Sequence, residues 1–465
     1  MHHQNCRPQI AIKGEPMNTP LYNAIIAHNK KNRSAFHMPA HKGAADCLAP
    51  LAAVLPFDLT EIPDTGSLFD GEGATAEAER LAAELFGAAG TFMSAGGCTL
   101  CIQAMLRLAV PQGGKLICGR VIHRSAVNAM ALLDITPVWV MPDLSAGDAF
   151  AGRITAQGVG TALAQHPDAK GVFLTTPDYF GVMSDIAAIA KEAAAYGVPV
   201  LVDNAHGTHL QFINPSLGPL VQGALMSADS AHKTLPVLTG GAWLNIADAK
   251  YLSGAREALA LFGSTSPSYL IMLSLDLCRA WLAENGADAM KKAAAQTETI
   301  KTFMRGKGFV LPQGECDPLR VAFQPGTAGT AGGRAGQILR ENATEPEYAG
   351  REGVILIPSP FNTQGDYERL VRALEQIPVC LTGENSPVTG QSSPAEMPKA
   401  VLTPRQALLA AKTVVPVKAS AGRTACAAVC PCPPAIPFVM PGEMITSEAA
   451  GILAEYGFSD ITVVK

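Results

Sequence analysis

The chain of 465 residues is too long for one simple core, and its length predicts about two to three domains. Hydrophobic residues make up 48% and charged residues 16%, a globular balance that excludes a disordered or fibrous protein. The formal charge of −5 comes without any basic block, which argues against a nucleic-acid partner. No apolar run approaches ~18 residues, and the first residues lack the apolar stretch of a signal peptide. A soluble, cytoplasmic protein without membrane contact is therefore expected. Eleven cysteines in a chain this long do not form a disulfide framework, so reduced thiols are the default. Cys426, Cys430 and Cys432 have no standard zinc spacing and no nearby histidine, and no metal is assigned to them.

In chain order, residues 1–60 read as an N-terminal arm: one helix from Pro20 to Lys31, then the Pro- and Gly-punctuated loop FHMPAHKG. A large α/β domain is expected over 61–265. It opens with a helix from Glu72 to Leu85, whose first-turn acidic residues would complement the helix dipole. A short strand, a Gly–Gly turn and an apolar helix follow in TFMSAGGCTLCIQAMLRLAV. Next, KLICG, PVWVM, GVFLTT, VPVLVD and ALMSAD alternate with helical segments such as SAVNAMALLD and SDIAAIAKEAAAYG. Such alternation predicts a mostly parallel central sheet with helices on both faces and functional residues at the carboxyl ends of its strands. Residues 266–381 are read as a linking helical region and a small α+β domain. The Gly/Ser/Pro-rich stretch 382–402 is read as a linker, and 403–465 as a C-terminal module with extended, proline-rich structure.

The chemistry concentrates at two strand ends. VPVLVDNAHG ends a strand with Asp203, followed by Asn204 and His206, and SADSAHK places Ser230, His232 and Lys233 after the next strand. A lysine and a carboxylate at one sheet edge suit pyridoxal phosphate (PLP): the lysine forms a Schiff base with the aldehyde, and Asp203 keeps the pyridine nitrogen protonated. Gly96, Gly97, Cys98 and Thr99 lie at a strand-to-helix turn whose N–H groups favour an anion, with Ser230 and His232 able to close a phosphate cup. His123, in the loop after KLICG, is positioned to stack on the ring and take part in acid–base steps. The rival lysine, Lys42, has neither a buried strand before it nor an Asp partner, and His209 competes with His206 for the place beside the ring.

SADSAHKTLPVLTGGAWL resembles the Ser-x-His-Lys cofactor signature of the Orn/Lys/Arg decarboxylase family. FHMPAHKG, DLTEIPDTG, GEGATAEAERLAAELFGA, IHRSAVNA, TTPDYFGV, VDNAHGTHL, TSPSYLIMLSLD and PPAIPFVMPGE also look like blocks of that family, in its order. The resemblance implies the type I PLP-dependent (aspartate-aminotransferase) fold, in a short form without a receiver-like domain before it. It implies Lys233 as the cofactor lysine, Asp203 as pyridinium partner, His123 as stacking residue and His206 beside the ring. Thr99, Ser230 and His232 would then be phosphate contacts, next to the Gly97 and Cys98 turn read above as cofactor-binding. The implied activity is decarboxylation of arginine, lysine or ornithine by a homodimer or larger homo-oligomer. An aminotransferase or carbon–sulfur lyase remains the first alternative, because sequence does not show which substrate bond is held perpendicular to the ring. Cys98, Asn204, Ala427 and Cys432 depart from the family's usual residues, and Ala427 and Cys432 motivate a second alternative, a non-catalytic PLP-binding paralogue.

Overall fold

The computed structural model describes residues 18–143, 150, 152–325, 331–351, 353–379, 397–429 and 437–465. Cys430, Cys432 and residues 382–396 of the expected linker lie outside these described residues. β1 (Gly90–Ser94), β2 (Gly114–Gly119), β3 (Ile135–Val140), β4 (Val172–Thr175), β5 (Val200–Asp203), β6 (Met226–Asp229) and β7 (Ala242–Ile246) form one seven-stranded sheet. Its order is β1-β7-β6-β5-β4-β2-β3. β2 to β6 pair in parallel with one another and with β3, while β7 runs antiparallel to both of its neighbours. The sheet is thus the mostly parallel one expected of the fold. β7, read from sequence only as part of the lysine block, is its reversed strand. Because β1, β2, β4, β5 and β6 all point one way, their carboxyl ends share one edge of the sheet.

The strands read as near-continuous apolar runs because both faces are covered. With the strand period of two, Leu116, Cys118, Phe173 and Leu201 face helices Gly97–Ala109, Arg124–Leu132 and Leu252–Phe262. The alternating set Ile117, Val172, Leu174, Val200 and Val202 faces helices Ala156–Gln165 and Ile186–Ala195. At the β1–β7 side, Met93 and Trp243 pack against helices Pro20–Lys30, Gly73–Phe86 and Tyr269–Trp281.

Helix Gly73–Phe86 corrects one expectation. It has no acidic residue in its first turn, and Glu72 lies just before it as the N-cap residue without a side-chain cap. Glu79, in the same helix, is buried; it accepts from Met93 N at 2.9 Å and pairs with Arg256 Nη2 at 2.6 Å. Its carboxylate therefore holds β1 and helix Leu252–Phe262 together rather than serving the dipole.

Beyond the sheet, helix Tyr269–Trp281 continues through a π turn, Leu282–Gly286, into helix Ala287–Lys307. β8 (Val321–Phe323), β9 (Tyr348–Gly350) and β10 (Gly353–Leu356) form an antiparallel sheet with β10 central, covered by helices Ala331–Glu341 and Gln364–Glu375. At the C-terminus, β11 (Lys412–Pro416) and β12 (Asp460–Val464) pair beside helix Ser447–Glu455. Residues 430–436 of the proline-rich stretch lie outside the described residues, and the segments on either side of them are bridged through Val429↔Val439 and Thr424↔Met444. Arg120, at the end of β2, joins this module to the main sheet through a two-pronged ion pair with Glu443, at 2.6 and 2.8 Å. No helix among the described residues is long and apolar enough to cross a membrane.

Candidate active site

Two loops converge at the shared edge of the sheet. After β1 the chain turns at Gly96 and Gly97 into helix Gly97–Ala109. Gly97 has φ of +70°, a conformation that favours glycine, and its N–H donates to the Gly240 carbonyl at 2.8 Å. A Cβ at Gly97 would meet nothing nearer than that carbonyl oxygen, at 4.0 Å. The turn is therefore a cradle that a side chain would fill, opening on first-turn N–H groups that have no partner within the helix. Gly241, next in the chain, accepts from His232: from its N–H at 3.3 Å and from its Nδ1 at 3.1 Å. The 240–241 turn thus ties the Gly97 turn to the lysine loop. Ser230 is buried with Oγ 3.4 Å from His232 Nδ1, and Thr99 is exposed at the helix start.

Asp203 ends β5 and is 1% exposed. Its Oδ1 accepts from Ala205 N at 3.2 Å and from Cys98 Sγ at 3.8 Å, and its Oδ2 accepts from Thr175 Oγ1 at 3.5 Å. Lys233 lies in the short helix Ala231–Thr234 after β6, with Nζ 3.3 Å from His206 Nε2. His123 caps helix Arg124–Leu132: Ser125 N–H donates to its Nδ1 at 3.3 Å, and Ser125 Oγ lies 2.7 Å from the same nitrogen.

These groups share one electrostatic neighbourhood. Burial raises the Asp203 carboxyl above its ordinary value, against the opposing pull of Lys233 and then His123. Crowding by surrounding protein lowers His123 below the usual histidine range, with Asp203 opposing and Lys233 adding to the effect. Burial, then the positive charges of Lys233 and Arg320, hold His206 well below that range. Burial first, and Asp203 second, push the Cys98 thiol far up, so it faces the carboxylate as a neutral S–H donor. Cys98 thus contributes its side chain to Asp203 and only its backbone to the glycine turn.

Of the two histidines after β5, His206 turns to Lys233, while His209 turns away and binds Asp317 Oδ1 at 2.9 Å. Lys42 lies in the N-terminal arm, its Nζ bonded to the His37 carbonyl. Arg320, Thr175 and Asp229 were not read as site residues from the sequence. Arg320 Nη2 is 3.2 Å from His206 Nδ1 across 114 positions of chain, a pairing no local pattern announces. Asn204, the departure after Asp203, donates to buried Asp229 Oδ1 at 2.5 Å, and Asn245 donates to the other oxygen at 2.9 Å. Burial pushes Asp229 up to about 6. An acidic residue at position 204 would face that carboxyl, so the amide is the residue this packing needs.

Sequence models of the Orn/Lys/Arg decarboxylase major domain and C-terminal domain match residues 19–322 and 389–456. The chain is 32% identical over 451 residues to an arginine decarboxylase of Bacillus subtilis, covering 92% of each protein. It is likewise 32% identical over 463 residues to an arginine decarboxylase of Halalkalibacterium halodurans, covering 94% of this chain and 93% of the relative. Among solved structures, the Francisella novicida lysine decarboxylase superposes with a TM-score of 0.84 at 18% identity, over 96% of this chain and 81% of that one. The mostly parallel sheet with its reversed strand, the lysine loop at its edge and a match across nearly the whole chain lead to one assignment: the chain belongs to the Orn/Lys/Arg decarboxylase family.

Proposed function

We propose that this protein removes the α-carboxyl group of a basic amino acid, using pyridoxal phosphate held by Lys233, and releases CO2 and the corresponding amine. The observation that carries the reading is the meeting of Lys233, Asp203 and His123 at one sheet edge, within mutual electrostatic reach. The donor set fits the cofactor. Lys233 supplies the amine, and Asp203 supplies a carboxylate buried deeply enough to seek a cationic partner. The open Gly97 turn, Thr99, Ser230 and His232 supply anion donors. When bound, the cofactor supplies an aldehyde for linkage to amines and a ring that accepts the electrons left when CO2 departs.

The chain's own residues do the rest. Asp203 holds a proton at the ring nitrogen, and Cys98 and Thr175 fix the carboxylate's orientation. His123, with Nδ1 engaged by Ser125, presents its ring face from the loop after β2 and stays uncharged near neutral pH. Lys233 or a histidine beside it returns a proton to the α-carbon. Arginine heads the substrate order because the relatives at 32% identity are named arginine decarboxylases; lysine and ornithine follow. A homodimer or larger homo-oligomer is part of the reading: Phe36, Met38, Leu51 and Val54 of the N-terminal arm are 96%, 63%, 53% and 42% exposed, an apolar set suited to a second copy. Free thiols at Cys47, Cys98, Cys101, Cys118, Cys278, Cys316 and Cys426 support a reducing, cytoplasmic setting.

The test is release of labelled CO2 from carboxyl-labelled arginine, lysine and ornithine by the PLP-loaded protein. Release from one of them, arginine first, is expected. An α-keto acid or pyruvate formed without CO2 would replace the reading with an aminotransferase or lyase.

A further inference from the structure

His206 lies between two groups that cannot both be served by either of its neutral forms at random. Its Nδ1 is 3.2 Å from Arg320 Nη2, and its Nε2 is 3.3 Å from Lys233 Nζ. Arg320 precedes β8, is 3% exposed, and is held in place from several sides. Its Nε is 3.9 Å from Asp317 Oδ2, and Asp317 Oδ1 accepts from His209 Nε2 at 2.9 Å and Leu319 N at 2.8 Å. Gly181, at φ +88°, packs so closely on the stem that a Cβ there would lie 2.6 Å from Arg320 Cβ. The Tyr179 ring meets the His206 ring edge-on at 5.3 Å, so the imidazole has a fixed plane.

A guanidinium has donors only, so His206 Nδ1 has to offer its lone pair to Arg320. A neutral imidazole carries one N–H, which then belongs to Nε2, the nitrogen facing Lys233. We propose that Arg320 is a positioning residue that locks His206 as the Nε2–H tautomer, so that His206 donates to the Lys233 nitrogen and favours its uncharged amine. The inference rests on the reading of Lys233 as the cofactor lysine. Capture joins the Lys233 nitrogen to the aldehyde carbon and expels the carbonyl oxygen as water, which takes both amine protons. The lysine therefore has to enter as NH2, without the third proton. The opposite tautomer would place a lone pair on Nε2, where it would accept from an ammonium and hold the lysine in its unreactive form. The charged and titratable groups facing this pair are Arg320, His209, His123 and Asp203, with Asp317 and Asp178 behind Arg320. Burial first, and then the Arg320 guanidinium, hold His206 below the usual histidine range and so favour the neutral ring that the lock requires.

The test uses the full-length chain stripped of PLP and labelled with 15N-histidine, with the His206 signals identified by their loss in His206→Gln. The expected 15N shifts show a neutral ring protonated at Nε2 in the wild type and in Arg320→Lys, which keeps a pure donor. In Arg320→Met the proton moves to Nδ1 or the ring becomes cationic. PLP capture, followed by absorbance, is expected to slow about tenfold in Arg320→Met and to recover within about threefold in Arg320→Lys. A wild-type His206 protonated at Nδ1, or on both nitrogens, overturns the proposal even if Arg320→Met does not fold. So does an Arg320→Met protein with unchanged tautomer and capture rate. A wild-type protein that captures no PLP at all refutes the cofactor reading instead, while the tautomer measurement still decides this one.

Discussion

Replacing Glu443 by alanine would strip the buried Arg120 guanidinium of its counter-charge. Both side chains are 2% exposed, and the two contacts are 2.6 and 2.8 Å long. Arg120 would keep the carbonyls of Pro437 and Phe438, both at 3.3 Å, the Met397 Sδ at 3.9 Å and the stacking on Trp139 at 5.5 Å, none of which carries a negative charge. Breaking one half of such a pair costs about 3–5 kcal/mol, mostly as the penalty of an unpaired buried charge. Met440 N–H would also lose its acceptor, now 2.8 Å from Glu443 Oε2. The loss falls on the seam between the C-terminal module and β2, so it is expected to appear first as local opening rather than global unfolding. Hydrogen exchange read by mass spectrometry should show protection of residues 437–446 falling roughly a hundredfold to a few thousandfold in Glu443→Ala. The double variant Arg120→Met with Glu443→Leu should recover most of that protection, because well-packed apolar replacements of a buried pair are close to neutral. Since Arg120 lies three residues before His123, activity should fall in the single variant and return partly in the double. Unchanged protection in Glu443→Ala, or a double variant as open as the single, would refute this view of the seam.

Three further outcomes are expected. Asp203→Asn should retain bound cofactor while CO2 release falls on the order of 10²- to 10⁴-fold, the usual worth of a positioned proton-holding group; equal loss of binding and turnover would argue against its assigned role. Burial pushes the Asp178 carboxyl up to about 7, and its Oδ2 has no hydrogen-bond partner among the described residues. The folded state therefore keeps a proton that the unfolded chain loses near pH 4, so this group's contribution to stability falls as pH rises from about 4 to 7. Asp178→Asn should flatten the pH dependence of thermal stability across that window. Light scattering should give the wild type at least twice the chain mass, and Phe36→Asp should shift it toward monomer with a loss of activity; a wild-type monomer would contradict the homodimer.

What was legible in the sequence, and what was not, follows from how local each signal is. β5 and β6 are apolar runs closed by Asp203 and Asp229, and period and punctuation alone place Asp203 and Lys233 at one sheet edge. β7 is equally apolar, but only the four-residue helix Ala231–Thr234 separates it from β6, so the alternating βα pattern did not announce it. Glu79 was not singled out from the sequence, although Thr75 and Phe86, at i−4 and i+7 from it, share its buried face, a helical spacing that was available in the sequence. The distant partners of His206 and Arg120 were out of reach: Arg320 comes from just before β8 and Glu443 from the C-terminal module, hundreds of positions away in the second case. Burial of charge in pairs is decided by tertiary packing, and no local propensity encodes it. The turn of Cys98 toward Asp203, away from the glycine cradle, is likewise a rotamer set by the core.

The central claim is that Lys233 carries the cofactor. Borohydride reduction of the PLP-loaded protein, followed by digestion and mass spectrometry, tests it most directly. The account predicts one modified peptide, bearing the reduced cofactor on Lys233, and no visible cofactor band in Lys233→Ala. Modification at Lys42 or another lysine, with Lys233 unlabelled, would contradict it.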